Sequence, residues 1–145
     1  MKKVYNLIVS AIKTVPDVKW IDLDSGQLDS GEEHKALKYP AALIRYSGVP
    51  KNLTEGGAIQ EEAVTFDIRL AFDATGTRTS GDAPDSAFDR SMKFIDISES
   101  VYAAIQGVAF EGFENPECVF RGQEPPKKGL NIIKLTFTTS QNIYN

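Results

Sequence analysis

EEAVTFDIRLAFD, residues 61–73, decides the fold. Val64, Phe66, Ile68, Leu70 and Phe72 alternate with Thr65, Asp67, Arg69 and Ala71. Successive side chains of a strand point to opposite faces, so this period of two predicts a long strand with one apolar and one largely polar face. A strand covered on both faces, as in a helix-wrapped parallel sheet, reads instead as a continuous apolar run. The alternation therefore predicts an antiparallel sheet with one covered face.

Moving toward the N-terminus, VPKNLTEGGA (49–58) predicts a loop, marked by Pro50 and the Gly56–Gly57 pair. YPAALIRYS (39–47) predicts a strand, with Pro40 at its entrance, where a missing N–H does least harm. VKWIDL (18–23) predicts another, joined to it by a polar run from Asp24 to Lys38 with Gly26 and Gly31 at turn positions. The chain opens with MKKVYNLIVSAIKTVPDV. Its two lysines and apolar run have the look of a secretory leader, but Asn6, Ser10 and Lys13 interrupt the run and no small-x-small cleavage site follows. Val4, Leu7, Ile8, Ala11, Ile12 and Val15 share one helical face, which predicts an amphipathic core helix over 2–14, ended by Pro16.

Toward the C-terminus, ATGTRTSGDAPDS (74–86) predicts a surface loop that ends in a helix start. Pro84, then Asp85 or Ser86 as cap, with Asp89 in the first turn near the positive helix end, predict a helix over 86–106. Phe88, Met92, Ile95, Tyr102 and Ile105 form its apolar stripe; Phe94, Ile97 and Val101 widen it, and Gly107 terminates it. PECVFRG (116–122) and LNIIKLTFTTS (130–140) predict the last two strands, with Ile133, Leu135 and Phe137 on one face and QEPPKKG (123–129) as a wide turn. The order α-β-β-β-α-β-β predicts an α+β class: a two-layer domain, mainly antiparallel sheet of about four to five strands, two helices on one face. With 145 residues and no long linker, residues 1–145 read as a single domain.

A net charge of −4 and a pI near 5.0 speak against an extended basic surface, so no sequence-specific nucleic-acid partner is expected. Cys118 is the lone cysteine, which rules out an internal disulfide and a Cys-based zinc site; a buried structural thiol in a reducing, intracellular environment is expected. No stretch approaches the roughly 20 apolar residues of a membrane span, so no membrane partner is expected.

The carboxylate-rich stretch WIDLDSGQLDSGEE (20–33) invites a search for chemistry. Counted as a calcium loop from Asp22, it puts Asp24 at position 3 and Glu33 at position 12, but glycine falls at position 5 and Gln27 at position 6, where glycine is required. Pro16–Asp17 with Glu33-His34-Lys35 matches the short PD…(D/E)xK pattern of metal-dependent nucleases, in which two carboxylates hold magnesium and a lysine positions water. That chemistry needs the second triplet on a strand, and GEEHKALK lacks strand alternation. His34 is the one histidine and no GxSxG accompanies it. Gly76 and Gly81 have Walker spacing, yet Asp82 replaces the phosphate-binding lysine. The sequence therefore predicts no catalytic residues, no metal and no cofactor. DSGQLDSGEE is expected to be an exposed polar connection and WIDL the end of a strand.

The pieces VYNLIVSAI, VKWIDLDSGQL, YPAALIRY, AVTFDIRLAF, DRSMKFIDISESVYAAIQG and NIIKLTFTTS, in this order, resemble siphophage tail terminator (tail-completion) proteins and their prophage relatives. WIDLDSGQL followed by the YPAALI strand is particularly similar to proteins of prophage-like clusters of Bacteroidetes. The resemblance spans nearly the whole chain. It implies a non-enzymatic structural protein: a ring of identical subunits, usually a hexamer, that caps the tail tube and docks to head-completion proteins. It also implies a place in the bacterial cytoplasm during assembly and in the virion tail afterwards. On that reading the loops 48–59 and 73–86 reach neighbouring subunits, and Lys51, Glu55, Arg69, Arg78 and Asp82 are the candidate interface residues, unless the two arginines are simply solvated. Two alternatives stand beside it: a small α+β binding module, and a nuclease acting through Asp17, Glu33 and Lys35.

Overall fold

The computed structural model of the protein describes residues 2–29, 38–73, 92–127 and 129–145. Helix α1 (Lys2–Ile12) is followed by strands β1 (Trp20–Leu23), β2 (Ala41–Asn52) and β3 (Ile59–Asp73), helix α2 (Lys93–Ile105), and strands β4 (Glu117–Lys127) and β5 (Leu130–Tyr144). The five strands form one sheet in the order β1-β2-β3-β5-β4. The fold is α+β, and the sheet is antiparallel except that β1 runs parallel to β2. The direction of a four-residue edge strand is not written in its periodicity.

The alternation of β3 does what it predicts. Val64, Phe66, Ile68, Leu70 and Phe72 are all buried on the helix side. There they meet Val4, Ile8 and Ile12 of α1, Ile97, Val101 and Ile105 of α2, and Ile133, Leu135 and Phe137 of β5. Phe66 and Phe137, direct cross-strand partners, stack at 5.3 Å with their planes 15° apart. On the opposite face lies a second, smaller apolar cluster of Leu28, Leu43, Ala71, Leu130 and Ile132, with Tyr39 against it.

Four expectations are corrected. The loop expected at 49–58 is shorter: residues 49–52 belong to β2, which stays in register with β3 from Ala41–Ala71 to Asn52–Gln60, and residues 53–58 turn. Gly56 and Gly57 allow that turn, with φ of 79° and 74°. Pro50 does not end β2. The carbonyls of Pro40 and Ile44 face β1, accepting from Lys19 and Asp24; Pro50 shares their parity, and β1 stops opposite Ile44. The missing N–H therefore points where the described residues place no neighbouring strand. Likewise β4 runs through Pro125 and Pro126 on an edge, with an irregular register between Glu124 and Lys127, so 123–129 is not a wide turn.

The described part of the second helix begins at Lys93; its expected start, with Phe88, Asp85, Ser86 and Asp89, lies outside the described residues. Its buried face is Ile97, Ser98, Val101 and Ile105, flanked by Phe94 and Tyr102, while Ile95 is 40% exposed. Finally, Cys118 is half-buried rather than buried, because β4 is an edge strand. Among the described residues no helix is long and apolar enough to cross a membrane.

Candidate functional site

Three features stand out on this frame: a charged cluster on the open sheet face, a projecting arm, and a cleft beside α2. The cluster begins with the end of β1. After Leu23, the Asp24 N–H bonds the Ile44 carbonyl, and the chain turns through Gly26 at a φ of 86°. Asp24 Oδ1 accepts from the Gly26 N–H at 3.0 Å, and the Asp29 N–H donates to the Gly26 carbonyl at 3.0 Å. Between them Leu28, 1% exposed, drops into the smaller apolar cluster. That anchor carries the carboxylates of Asp24 and Asp29 over the polar face of β3, where Arg69 stands only 8% exposed. Glu124, opposite Ile132 in the register, reaches the same place from β4.

Arg69 is saturated by these groups. Its Nε and Nη2 donate to Glu124 at 2.8 and 3.1 Å, and Nη1 and Nη2 donate to Asp29 at 2.8 and 3.2 Å. Asp24 lies 3.5 Å from Nη1, with its side chain 2% exposed. Lys127 adds an ammonium on Asp29. Burial alone would lower the Arg69 pKa, but the hydrogen bonds and charges of Glu124 and Asp29 outweigh it and hold the guanidinium more firmly protonated than usual. The hydrogen bonds of Arg69 and Lys127 bring Asp29 from 3.8 down to about 2.

A lowered folded-state pKa gives stability that is complete above the unfolded value and lost as pH falls through the folded one, here from about pH 4 to about 2. The denaturation midpoint of the protein should therefore exceed that of Asp29→Asn at about pH 5, and the gap should close toward about pH 2. A gap that stays constant across that range would show that Asp29 is not held by Arg69 and Lys127.

Chemically the cluster is a clamp. Every group in it is ion-paired or hydrogen-bonded, and it ties the 24–29 loop and β4 to the centre of the sheet. This corrects two expectations. Arg69 is neither solvated nor available to a neighbouring protomer. The 24–29 part of DSGQLDSGEE is not simply exposed: Leu28 and the Asp24 side chain are buried, and their burial comes from within the chain. Glu33, His34 and Lys35 lie outside the described residues, and Asp17 sits exposed in a turn. Asp22 caps its neighbour, accepting from the Leu23 N–H at 2.8 Å. Among the described residues no group of three or more His, Cys, Asp or Glu side chains could hold a metal ion.

The arm follows from the register. β1 pairs with β2 only as far as Ile44, and β4 pairs with β5 only up to Thr138. Past those points β2, β3 and β5 continue together, as far as Asn52–Gln60 on one side and Ile59–Tyr144 on the other. Asn145 pins the end, its N–H to the Ala58 carbonyl at 2.8 Å and its Nδ2 to the Gly57 carbonyl at 2.9 Å. This ordered arm leaves Tyr144 73% and Val49 68% exposed, with Leu53 near them at the turn. Two of the expected interface residues fall here: Lys51, opposite Glu61 on the strands, and Glu55 in the turn. Arg69 lies about 30 Å from that tip, ten residues further along β3. Arg78 and Asp82 lie outside the described residues. The exposed Tyr144 and Val49 were missed by sequence reading, because residues 138–142, TTSQN, are all polar and interrupt the alternation of β5 before Ile143 and Tyr144.

The cleft, about 240 Å³, lies between α2 and the β4–β5 pair. Phe94, Tyr102, Ile133 and Leu135 contribute apolar walls. At its rim Arg121 pairs with Glu99 at 3.0 Å and lies over the Tyr102 ring, 4.5 Å from the centroid. No protein-family model matches the chain, and no curated protein matches it.

Proposed function

We propose that this protein is a non-enzymatic assembly protein of a phage or phage-like tail, of the tail terminator or tail-completion type. It caps the tail tube as an oligomeric ring and presents a docking surface to head-completion proteins. Its partners are copies of itself and those tail and head proteins, and it works in the bacterial cytoplasm before entering the virion. The resemblance of the segments and their order supports this reading.

The observation that carries it is the arm. The three-stranded extension is fixed by hydrogen bonds, and beyond its last core residue on β3, Val64, it holds Tyr144 and Val49 out to solvent. It suits contact with another protein, since exposed aromatic side chains on ordered backbone are typical interface anchors. The charged cluster fits the same role, because it stiffens a subunit and offers no reactive group. A net charge of −4 also keeps such a ring from gripping DNA that passes through it.

The test is mass in solution over a wide concentration range, with electron microscopy of the largest species. A ring-sized species that grows with concentration is expected. A chain that stays monomeric at every concentration, and alongside tail tubes, would overturn the reading.

A further inference from the structure

We infer that the arm and the cleft are two halves of one contact between copies of this chain: Tyr144 of one subunit seats in the α2–β4 cleft of the next. The inference rests on the assembly reading and supplies its contact. Tyr144 is fixed through its pairing with Ile59 and through Asn145, so little freedom is lost when it is buried. The cleft is a concave apolar site open to solvent, with Phe94 and Tyr102 on its helix side and Leu135 at its base.

A subunit's arm cannot fill that subunit's own cleft. From Leu135 to Tyr144 is nine residues along β5, about 30 Å. The two also lie on opposite sheet faces: Leu135 and Phe137 face the helices, and Tyr144 has the other parity. Two different patches that complement each other make a head-to-tail contact, which closes into a ring or runs into a fibre.

Charge supports the same partner. Lys51 and Glu61 face each other across the tip, and Glu99 and Arg121 flank the cleft. Each surface offers one cation and one anion, so Lys51 can meet Glu99 while Glu61 meets Arg121. Sheet extension is the less suitable route, because Pro50 blunts the free edge of β2 and Pro125 and Pro126 blunt that of β4. A tip in a cleft buries less than the roughly 800 Å² per partner of a stable interface. Each contact is therefore weak alone, and closure of a ring, in which every subunit makes two, stabilises the assembly.

The experiment uses full-length chains carrying Cys118→Ser and one new cysteine each. Asn142→Cys lies beside Tyr144 on the arm, and Ile95→Cys lines the cleft. Mild oxidation of the mixture is expected to give a covalent dimer that neither variant forms alone. Tyr144→Ser, at an exposed position, is expected to raise the concentration for half-assembly about tenfold or more without changing the circular dichroism spectrum. Cross-linking of Asn142→Cys with itself would overturn the inference in favour of a two-fold contact. Assembly of the unaltered chain with no mixed cross-link, and with Tyr144→Ser behaving normally, would overturn it while leaving the ring intact. A strictly monomeric unaltered chain would remove both.

Discussion

Arg69→Met is expected to destabilise the protein by about 3–5 kcal/mol in chemical denaturation, the loss typical when one partner of a buried ion pair is removed. Methionine roughly keeps the length and apolar stem of arginine, so a cavity is not the cause. The cost falls on the carboxylates left behind. Asp29 and Glu124 are partly exposed and can take up water, but the Asp24 side chain is 2% exposed and keeps only a peptide N–H and a distant Arg45, 3.9 Å away. An uncompensated buried carboxylate is the expensive element. Arg69→Lys should fall between the two, since one ammonium cannot serve carboxylates that approach a guanidinium from different sides. Neutralising the set together, with Asp24→Asn, Asp29→Asn and Glu124→Gln added to Arg69→Met, should recover much of the loss, because a whole buried ionic group is often replaceable where half of it is not. A loss below about 1 kcal/mol for Arg69→Met would place the cluster with ordinary surface ion pairs and end its role as a clamp.

What sequence could and could not reveal follows from the range of the forces involved. Burial of one sheet face repeats every second residue, so β3 could be read directly from Val64 to Phe72, and the α+β class with it. The limits of strands depend on neighbours. Pro50 looks like a breaker, and only the early end of β1 opposite Ile44 makes it harmless. Pro125 and Pro126 are tolerated on an edge that the sequence does not mark, where the register with β5 is irregular between Glu124 and Lys127. On α2, Ile95 and Ile97 are equally apolar; Phe94, Ile97, Ser98, Val101 and Ile105 follow the i, i+3, i+4 spacing that turns Ile95 outward. The clamp was the least legible feature. Its partners stand 40 and 55 residues from Arg69, and a charged residue on the polar side of a strand reads as solvated. One sign was present: Leu28 is a single large apolar residue amid turn residues, which marks an anchored loop better than a free one.

Phe137→Ala is expected to cost about 3–5 kcal/mol, as large aromatic truncations in cores do. Phe137 is fully buried on β5, between β3 and β4, and its ring touches both layers: Phe66 at 5.3 Å in the sheet and Tyr102 of α2 at 6.4 Å. A sheet held on both sides cannot collapse into the space, so the cavity persists and its cost adds to that of transfer. Phe66→Ala should cost a similar amount. The double variant should lose less than the sum by about 1 kcal/mol, because each single change already removes the stacked pair. Strict additivity would mean that the stack contributes nothing beyond burial. Position sharpens the expectation. Phe66 and Phe137 pair just below Thr138, where the pairing of β4 with β5 stops and the arm begins. Among the described residues no helix packs along the arm, which takes its orientation from that pair and from Glu114, whose N–H donates to the Ser140 carbonyl at 2.9 Å. Phe137→Ala should therefore speed amide exchange at 140–144 more than Leu70→Ala does, although both remove fully buried side chains from the same core. Equal effects on the arm would show that its own ladder of hydrogen bonds, from Ala63–Ser140 to Ile59–Tyr144, is enough to hold it straight.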